Sequence, residues 1–395
     1  MMQIILHHVI NWLFLWSSKT VAPTPPLGER GQKMEIYAVA GYMSRFSGLL
    51  TLIVYSFLQI CFADESVELV SSKTEAGYAI RVNGQPFAEY RYIGELTPDI
   101  WPIYSPAGNL ATRTFPMADR EKNETILKSV RVVAPFESRD HNHHRSIWFH
   151  FGSVNGVDFW NIDTNRPFIR CRNAQVVESP RHQVILKSHN DWVEPAKAEK
   201  HENVVCQDIR TITFGVLSDK IWHIDYEVQI LAVEHNVHFG DTKEGLFAIR
   251  VPGTVEVDAQ SRNTKWGGLL INAEGLKNVD AWSQRSRWVD YTGPVYEQNA
   301  NREEPDKDAP MSSLGITVMN HPDSFRYPTW WHVRTYGLLD ANPFALTEFQ
   351  AGDGRETIKK GESLLFCYRV LVHDSSLSTE QIDQLFDEYA KVSRR

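Results

Sequence analysis

The densest group of ionisable side chains in the sequence begins just after residue 140. Four histidines occur there within ten residues, namely His141, His143, His144 and His150. A histidine suits acid–base catalysis because its unperturbed pKa of about 6.5 is close to working pH. If residues 145–151 are extended, His144 and Trp148 project to one face of the strand. We therefore predict a cleft in which His143 or His144 is the general base or acid; the alternative is a loop whose histidines bond backbone carbonyls.

The same histidines raise a second hypothesis, a bound divalent metal. His141 and His143 are two residues apart, so an extended segment would present both imidazoles on the same side. A third ligand has to come from elsewhere, and the sequence does not choose between Glu202, Asp208, Glu244 and His332. The cofactor is thus open, with a divalent metal as one possibility.

A second group of candidates lies between residues 241 and 251. Alternation over this run places Glu244 and Arg250 on one side and the apolar Phe247 and Ile249 on the other. A carboxylate and a guanidinium on one face either pair with each other or turn towards a polar ligand. We predict Glu244 as the carboxylate partner of the histidines, with Gly245 leaving room beside it; a surface ion pair is the alternative.

A third group follows at residues 327–344, where Trp330, His332 and Arg334 share one face of an extended segment. Indole rings stack on the C–H faces of sugars, and Arg, His and Asn side chains bond their hydroxyls. His332 therefore joins the predicted catalytic residues. The predicted substrate-binding residues are Arg113, Arg145, Trp148, Asn155, Asp158, Trp160, Arg250, Trp330, Trp331, Arg334 and Asn342. A sheet-edge aromatic cluster is the alternative.

The three groups are far apart in sequence but are expected to meet. Each presents more ionisable side chains than can be buried without cost, since an unpaired buried charge costs several kcal/mol. That cost is lowest if all three polar faces point into one concavity, where the His, Glu and Arg side chains can pair with one another. We predict that His143 or His144, Glu244, and His332 or Arg334 lie within about 10 to 12 Å of one another around one pocket.

Short alternating runs must position these residues. Residues 222–230 alternate apolar and polar side chains, and further strand-like runs cover residues 79–82, 184–186, 246–251, 315–319 and 364–372. No regularly spaced helices separate them, which argues against a parallel α/β sheet. We predict an all-β, predominantly antiparallel fold, a large β-sandwich of super-sandwich type.

One helix is predicted, at the C-terminus over residues 379–392. Ser378 and Gln381 form a capping-box pattern, and Ile382, Phe386 and Tyr389 recur at helical spacing. This helix is expected to dock on the sandwich. The polar segment 297–310 is predicted to be a surface loop.

The N-terminal residues read as targeting sequence. An apolar run at residues 49–62 follows Arg45 and precedes the small Ala63, as in a signal peptide over residues 34–63. Residues 1–33 are interpreted as a non-native or pre-extension, and residues 64–395 as a single sandwich domain. We expect export to the periplasm or the extracellular space. No integral membrane insertion is expected after signal removal, because the run is shorter than about 18 apolar residues.

Charge, cysteines and motifs narrow the function classes. The chain has 41 basic and 49 acidic residues, a net charge of −8, which argues against nucleic acid as a partner. Beyond residue 63 only Cys171, Cys206 and Cys367 remain, and free thiols are favoured over one Cys171–Cys206 bridge. No GxSxG, Walker, GxGxxG, HExxH or EF-hand motif is present.

The motifs described above also carry a family resemblance over residues 93–372. The sequence resembles a bacterial domain family of unknown function that bears the name PmoA, or methane oxygenase, through residues 102–108, 141–149, 154–160, 243–245, 331–334 and 342–344. That name implies a membrane-embedded copper subunit with several spanning helices, so we interpret it as misleading. The resemblance implies bacteria that degrade polysaccharides, and hence a carbohydrate context.

The leading hypothesis is therefore an exported protein that acts on a glycan or sugar derivative by His/Glu acid–base chemistry. Its architecture would be similar to that of aldose mutarotases and the lyases and hydrolases sharing their sheet layout, which is an analogy of fold alone. Two alternatives stay open. One is a non-catalytic glycan-binding module with Trp148, Trp160, Trp330 and Trp331 as platform; the other is a metal-dependent enzyme, including oxidation, at His141, His143 and His144.

Overall fold

The computed structural model describes residues 67–161, 166–178, 182–196, 201–297 and 310–394. The predicted pre-extension and signal peptide lie outside these residues, as does the predicted 297–310 loop apart from its ends. Contacts group Ser66–Arg395 into one compact unit. No helix in the described ranges is long and apolar enough to cross a membrane.

The first large sheet has seven strands in the order β1-β2-β3-β4-β5-β11-β15. Every pairing within it is antiparallel. Its strands are β1 (Leu69–Lys73), β2 (Gly77–Val82), β3 (Gln85–Arg91), β4 (Asp99–Ile103), β5 (Ile147–Phe151), β11 (Gly245–Arg250) and β15 (Leu338–Ala341). Strands from all three chemically unusual segments are thus neighbours at one end of this sheet.

The second large sheet has eight antiparallel strands in the order β12-β13-β14-β17-β9-β8-β7-β6. They are β6 (Phe168–Glu178), β7 (Gln183–Glu194), β8 (Asn203–Ser218), β9 (Ile221–Leu231), β12 (Leu269–Asn272), β13 (Trp288–Tyr296), β14 (Met311–Asn320) and β17 (Ser363–His373). A two-stranded sheet pairs β10 (Val237–Phe239) with β16 (Glu356–Ile358). The predicted all-β, antiparallel sandwich is confirmed.

The main core lies between the two large sheets. On the inner face of β11, Phe247 stacks on Tyr368 of β17 with ring centroids 4.5 Å apart. On the inner face of β5, Phe149 packs against Trp192 and Phe366. Burying a side chain of this size stabilises a fold by about 1.5–3 kcal/mol. The inner faces of β5 and β11 are therefore committed to the core, and only their outer faces can carry a site.

Two α-helices of the described residues begin at well-formed caps. The C-terminal helix α2 (Thr379–Ala390) has the predicted capping box of Ser378 and Gln381, and its buried face packs on the second sheet through a cluster with Trp288 and Leu371. A helix absent from the sequence interpretation, α1 (Glu124–Val133), begins at Asn123, whose side chain accepts from the Thr125 and Ile126 amides. The three described cysteines are free, as favoured.

Candidate functional site

The histidine segment forms a turn that leads into β5. His141 has a positive φ of 48°, and the His144 amide donates to the His141 carbonyl at 2.9 Å. The turn stacks the His141 ring on the His144 ring with centroids 4.5 Å apart. His143 lies edge-on to His144, with centroids 4.6 Å apart. The three imidazoles form one cluster in which His141 is exposed, His143 half-buried and His144 buried.

Arg250 holds His144 in one tautomer. Nη1 of Arg250 lies 3.1 Å from Nδ1 of His144. A guanidinium can only donate, so Nδ1 accepts and the His144 proton resides on Nε2. Arg250 is fully buried, donates to Glu256 at 3.2 Å, and lies over the Tyr336 ring at 4.7 Å. His144 is therefore presented as a hydrogen-bond donor, not as a base.

Two buried arginines and the part-exposed Asp140 form ion pairs next to the histidine cluster. Asp140 lies 3.0 Å from Arg113, 3.5 Å from Arg250 and 3.0 Å from Nδ1 of His141. Burial raises the pKa of Asp140, but Arg250, His141 and Arg113 outweigh it and lower that pKa below its usual range. Arg113 also donates to the Ser138 carbonyl. Arg113, predicted to bind substrate, is buried, does not line the cavity described below and anchors the loop that carries the histidines.

Glu244 is the residue immediately before β11. The pairing of β11 with β5 places the next residue, Gly245, opposite Phe151. Gly245 has a φ of 129°, and a Cβ there would lie 2.6 Å from the Phe151 ring and 2.7 Å from the His150 carbonyl oxygen. The space beside Glu244 itself is made by Gly152, where a Cβ would lie 2.9 Å from the Glu244 Cβ. Gly245 therefore permits the close strand approach, and Gly152 has the role that the sequence interpretation gave to Gly245.

The third segment folds back on β15 as a hairpin. The His332 amide donates to the Asp340 carbonyl at 2.8 Å, and the Arg334 amide to the Leu338 carbonyl at 2.9 Å. His332 is buried, and its Nδ1 has no hydrogen-bond partner among the described residues. Tyr336, at the tip, stacks on His141 with centroids 5.5 Å apart. The hairpin thus brings the third segment against the first.

One cavity of about 270 Å³ receives side chains from all three segments. Its lining residues are His141, His143, His144, Asn161, Lys243, Glu244, His332, Arg334, Tyr336 and Leu338. All four residues predicted as catalytic line it, together with Arg334. The three segments meet because β11, which follows Glu244, pairs with β5 on one side and with β15 on the other.

Burial keeps three imidazoles of the cavity neutral, those of His143, His144 and His332. It lowers the pKa of His143 to about 4, with His141 adding to the effect, and that of His332 to about 3, with Arg334 adding to it. Burial also lowers the pKa of His144, helped by His143 and Arg250. The pKa of Glu244 moves the other way, since burial raises it above its usual value. At neutral pH these three neutral imidazoles line the cavity together with the Glu244 carboxyl group, whose proton affinity is increased.

Two of the four predicted tryptophans, Trp148 and Trp160, lie beneath the site, and Trp331 belongs to the main core. Trp148, Trp160 and Trp331 are each at most 1% exposed, and Trp330 lies under the guanidinium of Arg285 at 4.5 Å. Trp148 and Trp160 pack with Ala248 and Leu338 on the outer face of the first sheet, under the histidine turn. The alternative of a glycan-binding module needs an exposed indole platform, and three of its four tryptophans, Trp148, Trp160 and Trp331, are buried.

Four other predicted residues have structural partners. Asp158 accepts from the Trp160 and Asn161 amides and so fixes the turn that presents Asn161. Asn342 donates to the Thr242 carbonyl at 3.0 Å and ties the hairpin to the Glu244 segment. Arg145 is buried in ion pairs with Asp99 and with Glu95, the latter at 2.8 Å. Asn155 lies apart, lining a cavity beside the two-stranded sheet.

A second cavity of about 410 Å³ adjoins the first. His143 and Asn161 line both. The larger cavity is otherwise lined by Leu96, Phe115, Pro116, Asp119, Arg120, Asn142, Arg145 and Arg166. Arg145, predicted to bind substrate, therefore faces this neighbouring space and not the cavity that holds Glu244.

Several site residues were missed from the sequence. The alternation that places His332 and Arg334 on one face also places Tyr336 there, so the sequence could have indicated Tyr336. Lys243 could have been found because it directly precedes Glu244. Asn161 follows the Asp158 turn, which the sequence interpretation did not recognise. Trp282 packs on the guanidinium of Arg334 at 5.2 Å from another part of the chain. Nothing in its sequence neighbourhood points to the site.

The metal hypothesis gains no ligand set in the described part of the chain. No group of three or more His, Cys, Asp or Glu side chains is arranged there to hold a metal ion. The His141 and His144 rings are stacked with an interplanar angle of 10°. Stacking of this kind packs the two rings and does not point their nitrogens at one centre.

Comparison with known proteins identifies the family. A family model described as a family of unknown function, DUF6807, matches residues 77–387. The chain belongs to this family. The match agrees with the predicted resemblance to a domain family of unknown function. It does not bear on the name methane oxygenase. A search of the curated proteins found no match to this member of DUF6807.

Among solved structures, the likeness is weak. The chain is similar to a variant of a glycoside hydrolase family 97 enzyme from Pseudoalteromonas sp. strain K8, with a TM-score of 0.31 and 8% identity over 79% of this chain and 35% of that one. It thus spans about a third of that enzyme's length. A GalM/aldose epimerase homologue from C. elegans gives a TM-score of 0.28 and 8% identity over 79% of this chain and 100% of that one. Neither likeness carries a functional argument.

Proposed function

We propose that this member of DUF6807 is an enzyme that acts on a sugar or glycan by His/Glu acid–base chemistry. One observation carries the proposal: four ionisable residues from three distant segments, His143, His144, Glu244 and His332, line a single cavity. Such convergence of titratable groups with perturbed pKa values is typical of catalytic sites. The same proposal locates the enzyme outside the cytoplasm, on the strength of the N-terminal targeting pattern.

The residues divide into three roles. His143 and His332 are neutral at pH 7 and free to accept a proton, which a general base must do. Glu244, with its raised pKa, is the group that supplies the proton as general acid. His144, protonated on Nε2, donates a hydrogen bond to a substrate oxygen, because Arg250 occupies its Nδ1.

The size and lining of the cavity favour a sugar. At about 270 Å³ the cavity is slightly smaller than most ligand pockets, which run from roughly 300 to 1,000 Å³. A single pyranose ring fits a space of this order. Its hydroxyls both donate and accept, as do the imidazole, carboxyl, amide and phenol groups that line the cavity. A glycan-binding module would instead need exposed indoles, and three of the four predicted ones are buried.

Activity measurements on four variants test the proposal. Purified protein is screened for hydrolysis, elimination and epimerisation on glycoside and polysaccharide panels. We expect His332→Ala, His143→Asn and Glu244→Gln each to lower kcat by about 10²- to 10⁴-fold, the usual contribution of a general acid or base. The matched control is His235→Ala, at an exposed histidine that does not line the cavity.

The pH profile gives the second readout. Activity should fall as the pH drops through about 4, since His143 then takes up a proton. It should also fall at higher pH, once Glu244 has lost its proton, and that limb should vanish in Glu244→Gln. Full activity in both Glu244→Gln and His332→Ala would show that the chemistry takes place elsewhere.

A further inference from the structure

Arg334 is the feature of the cavity that the acid–base roles do not use. Its backbone is fixed by the hydrogen bond from its amide to Leu338, and its guanidinium lies 5.2 Å from the centre of the Trp282 ring. Trp282 is in turn held edge-on by Phe349 at 5.6 Å. An aromatic face steadies a guanidinium and leaves its N–H edge free. The side chain is thus positioned before any ligand arrives.

The Arg334 guanidinium forms no ion pair within the described residues, although its charge acts at longer range on Glu244. No acidic oxygen lies within 4.0 Å of the Arg334 guanidinium there, whereas Lys243, the other cation of the cavity, lies 3.5 Å from Glu348. His332 stands beside it with a buried Nδ1 that has no partner among the described residues. An arginine that lines a cavity and has no carboxylate partner there indicates that the ligand supplies an anionic group.

We propose that the substrate is an acidic sugar whose carboxylate binds Arg334. The planar guanidinium edge matches a carboxylate through two parallel N–H···O bonds, which neutral hydroxyls cannot reproduce. The sugar ring then lies towards Glu244 and His143 across the same cavity. This inference rests on the proposed function, because it names the substrate class of that site.

A binding experiment with matched ligand pairs tests it. Affinities of the full chain for D-glucuronate, D-galacturonate and D-mannuronate are compared with those for D-glucose, D-galactose and D-mannose by calorimetry or saturation-transfer NMR. At least one uronate should bind tenfold or more tightly than its matched hexose, and the preference should weaken as salt increases.

Three variants test whether Arg334 causes the preference for a uronate over its matched hexose. Arg334→Gln should remove it, Arg334→Lys should retain part of it because the charge remains, and Arg131→Gln should leave it unchanged. Arg131 is a matched control, since it is an exposed arginine on α1, 3.2 Å from Glu124 and outside the cavity. Unchanged unfolding midpoints for all three would show that the variants are folded.

Two outcomes would overturn the inference and separate it from the proposed function. If a hexose binds as tightly as its uronate, or the preference survives Arg334→Gln, the acidic-sugar inference fails while the sugar-acting site stands. If no sugar of the panel binds, both fail together.

Discussion

At the scale of single residues, the contact between Arg250 and His144 decides what the histidine can do. The guanidinium occupies Nδ1 at 3.1 Å, and a second proton on the ring would put two positive charges in contact in a buried place. Repulsion of this kind lowers the pKa of an imidazole further than burial alone. A residue that looks like a general base in the sequence is thereby limited to donating a hydrogen bond.

The tautomer of His144 is measurable. We expect ¹⁵N NMR of labelled protein to show the Nε2–H form of His144 without titration between pH 5 and 9. Replacing Arg250 by Gln keeps a donor to Nδ1 and removes the charge, so the pKa of His144 should rise. A spectrum with the proton on Nδ1 would contradict the assigned role, since Arg250 would then face a second donor.

At the scale of elements, the close approach of β11 to β5 rests on Gly245. We expect Gly245→Ala to destabilise the fold by about 3 kcal/mol or more, because the new Cβ meets the Phe151 ring and the His150 carbonyl at a φ of 129°. The matched control is Gly156→Ala, at a φ of 76° with no atom within 4 Å, where about 1 kcal/mol is expected. Urea unfolding measures both, and equal losses would show that crowding at Gly245 is unimportant.

The same strands show how far sequence reasoning reaches. Alternation predicted which face of β5 and β11 enters the core, and the Ser378 capping box predicted the start of α2. Alternation could not show what covers the outer face, so it predicts Trp148 on the face of a cleft, whereas the histidine turn covers this side chain. Helix α1 was missed because its run from Glu124 is short and rich in β-branched residues, which favour strands.

For the site, convergence of the three segments could be predicted but the depth of each residue could not. Polar faces that cannot be buried alone point to one shared concavity, and His143, Glu244 and His332 do line one. Arg113 and Arg250 carry the same charge as Arg334, yet both lie behind the histidine turn among carboxylates. Whether an arginine has a carboxylate partner depends on contacts between residues that are far apart in sequence, such as Arg113 with Asp140. The sequence alone does not show these contacts.

At the scale of the whole molecule, buried neutral histidines make stability sensitive to acid. Burial lowers the pKa of His143, His144, His150, His223 and His332. The unfolded chain binds protons at these positions once the pH drops below about 6.5, whereas the folded chain does not. These histidines therefore contribute fully to the free energy of unfolding above about pH 6.5. That contribution is lost as the pH falls towards their pKa values in the folded state.

We therefore expect the free energy of unfolding to decrease below pH 6.5. The slope should approach about 1.4 kcal/mol per pH unit for each such histidine. Urea unfolding at pH 7.5, 6 and 5 measures it, and His223→Asn should flatten the curve because the pKa of His223 is lowered to about 4. A stability that is constant from pH 7.5 to 5 would show that these imidazoles titrate normally.

The division of β5 and β11 into an inner face for the core and an outer face for the cavity has an evolutionary consequence. The cavity walls come from turns and strand ends around Glu244, His143 and Arg334, whereas the packing that stabilises the sandwich lies on the other side of the same strands. Mutations that alter ligand preference are therefore expected mainly at these turns and strand ends, and mutations that alter packing of the main core on the inner faces. The two sets overlap at the buried histidines of the cavity, whose neutral state also contributes to stability.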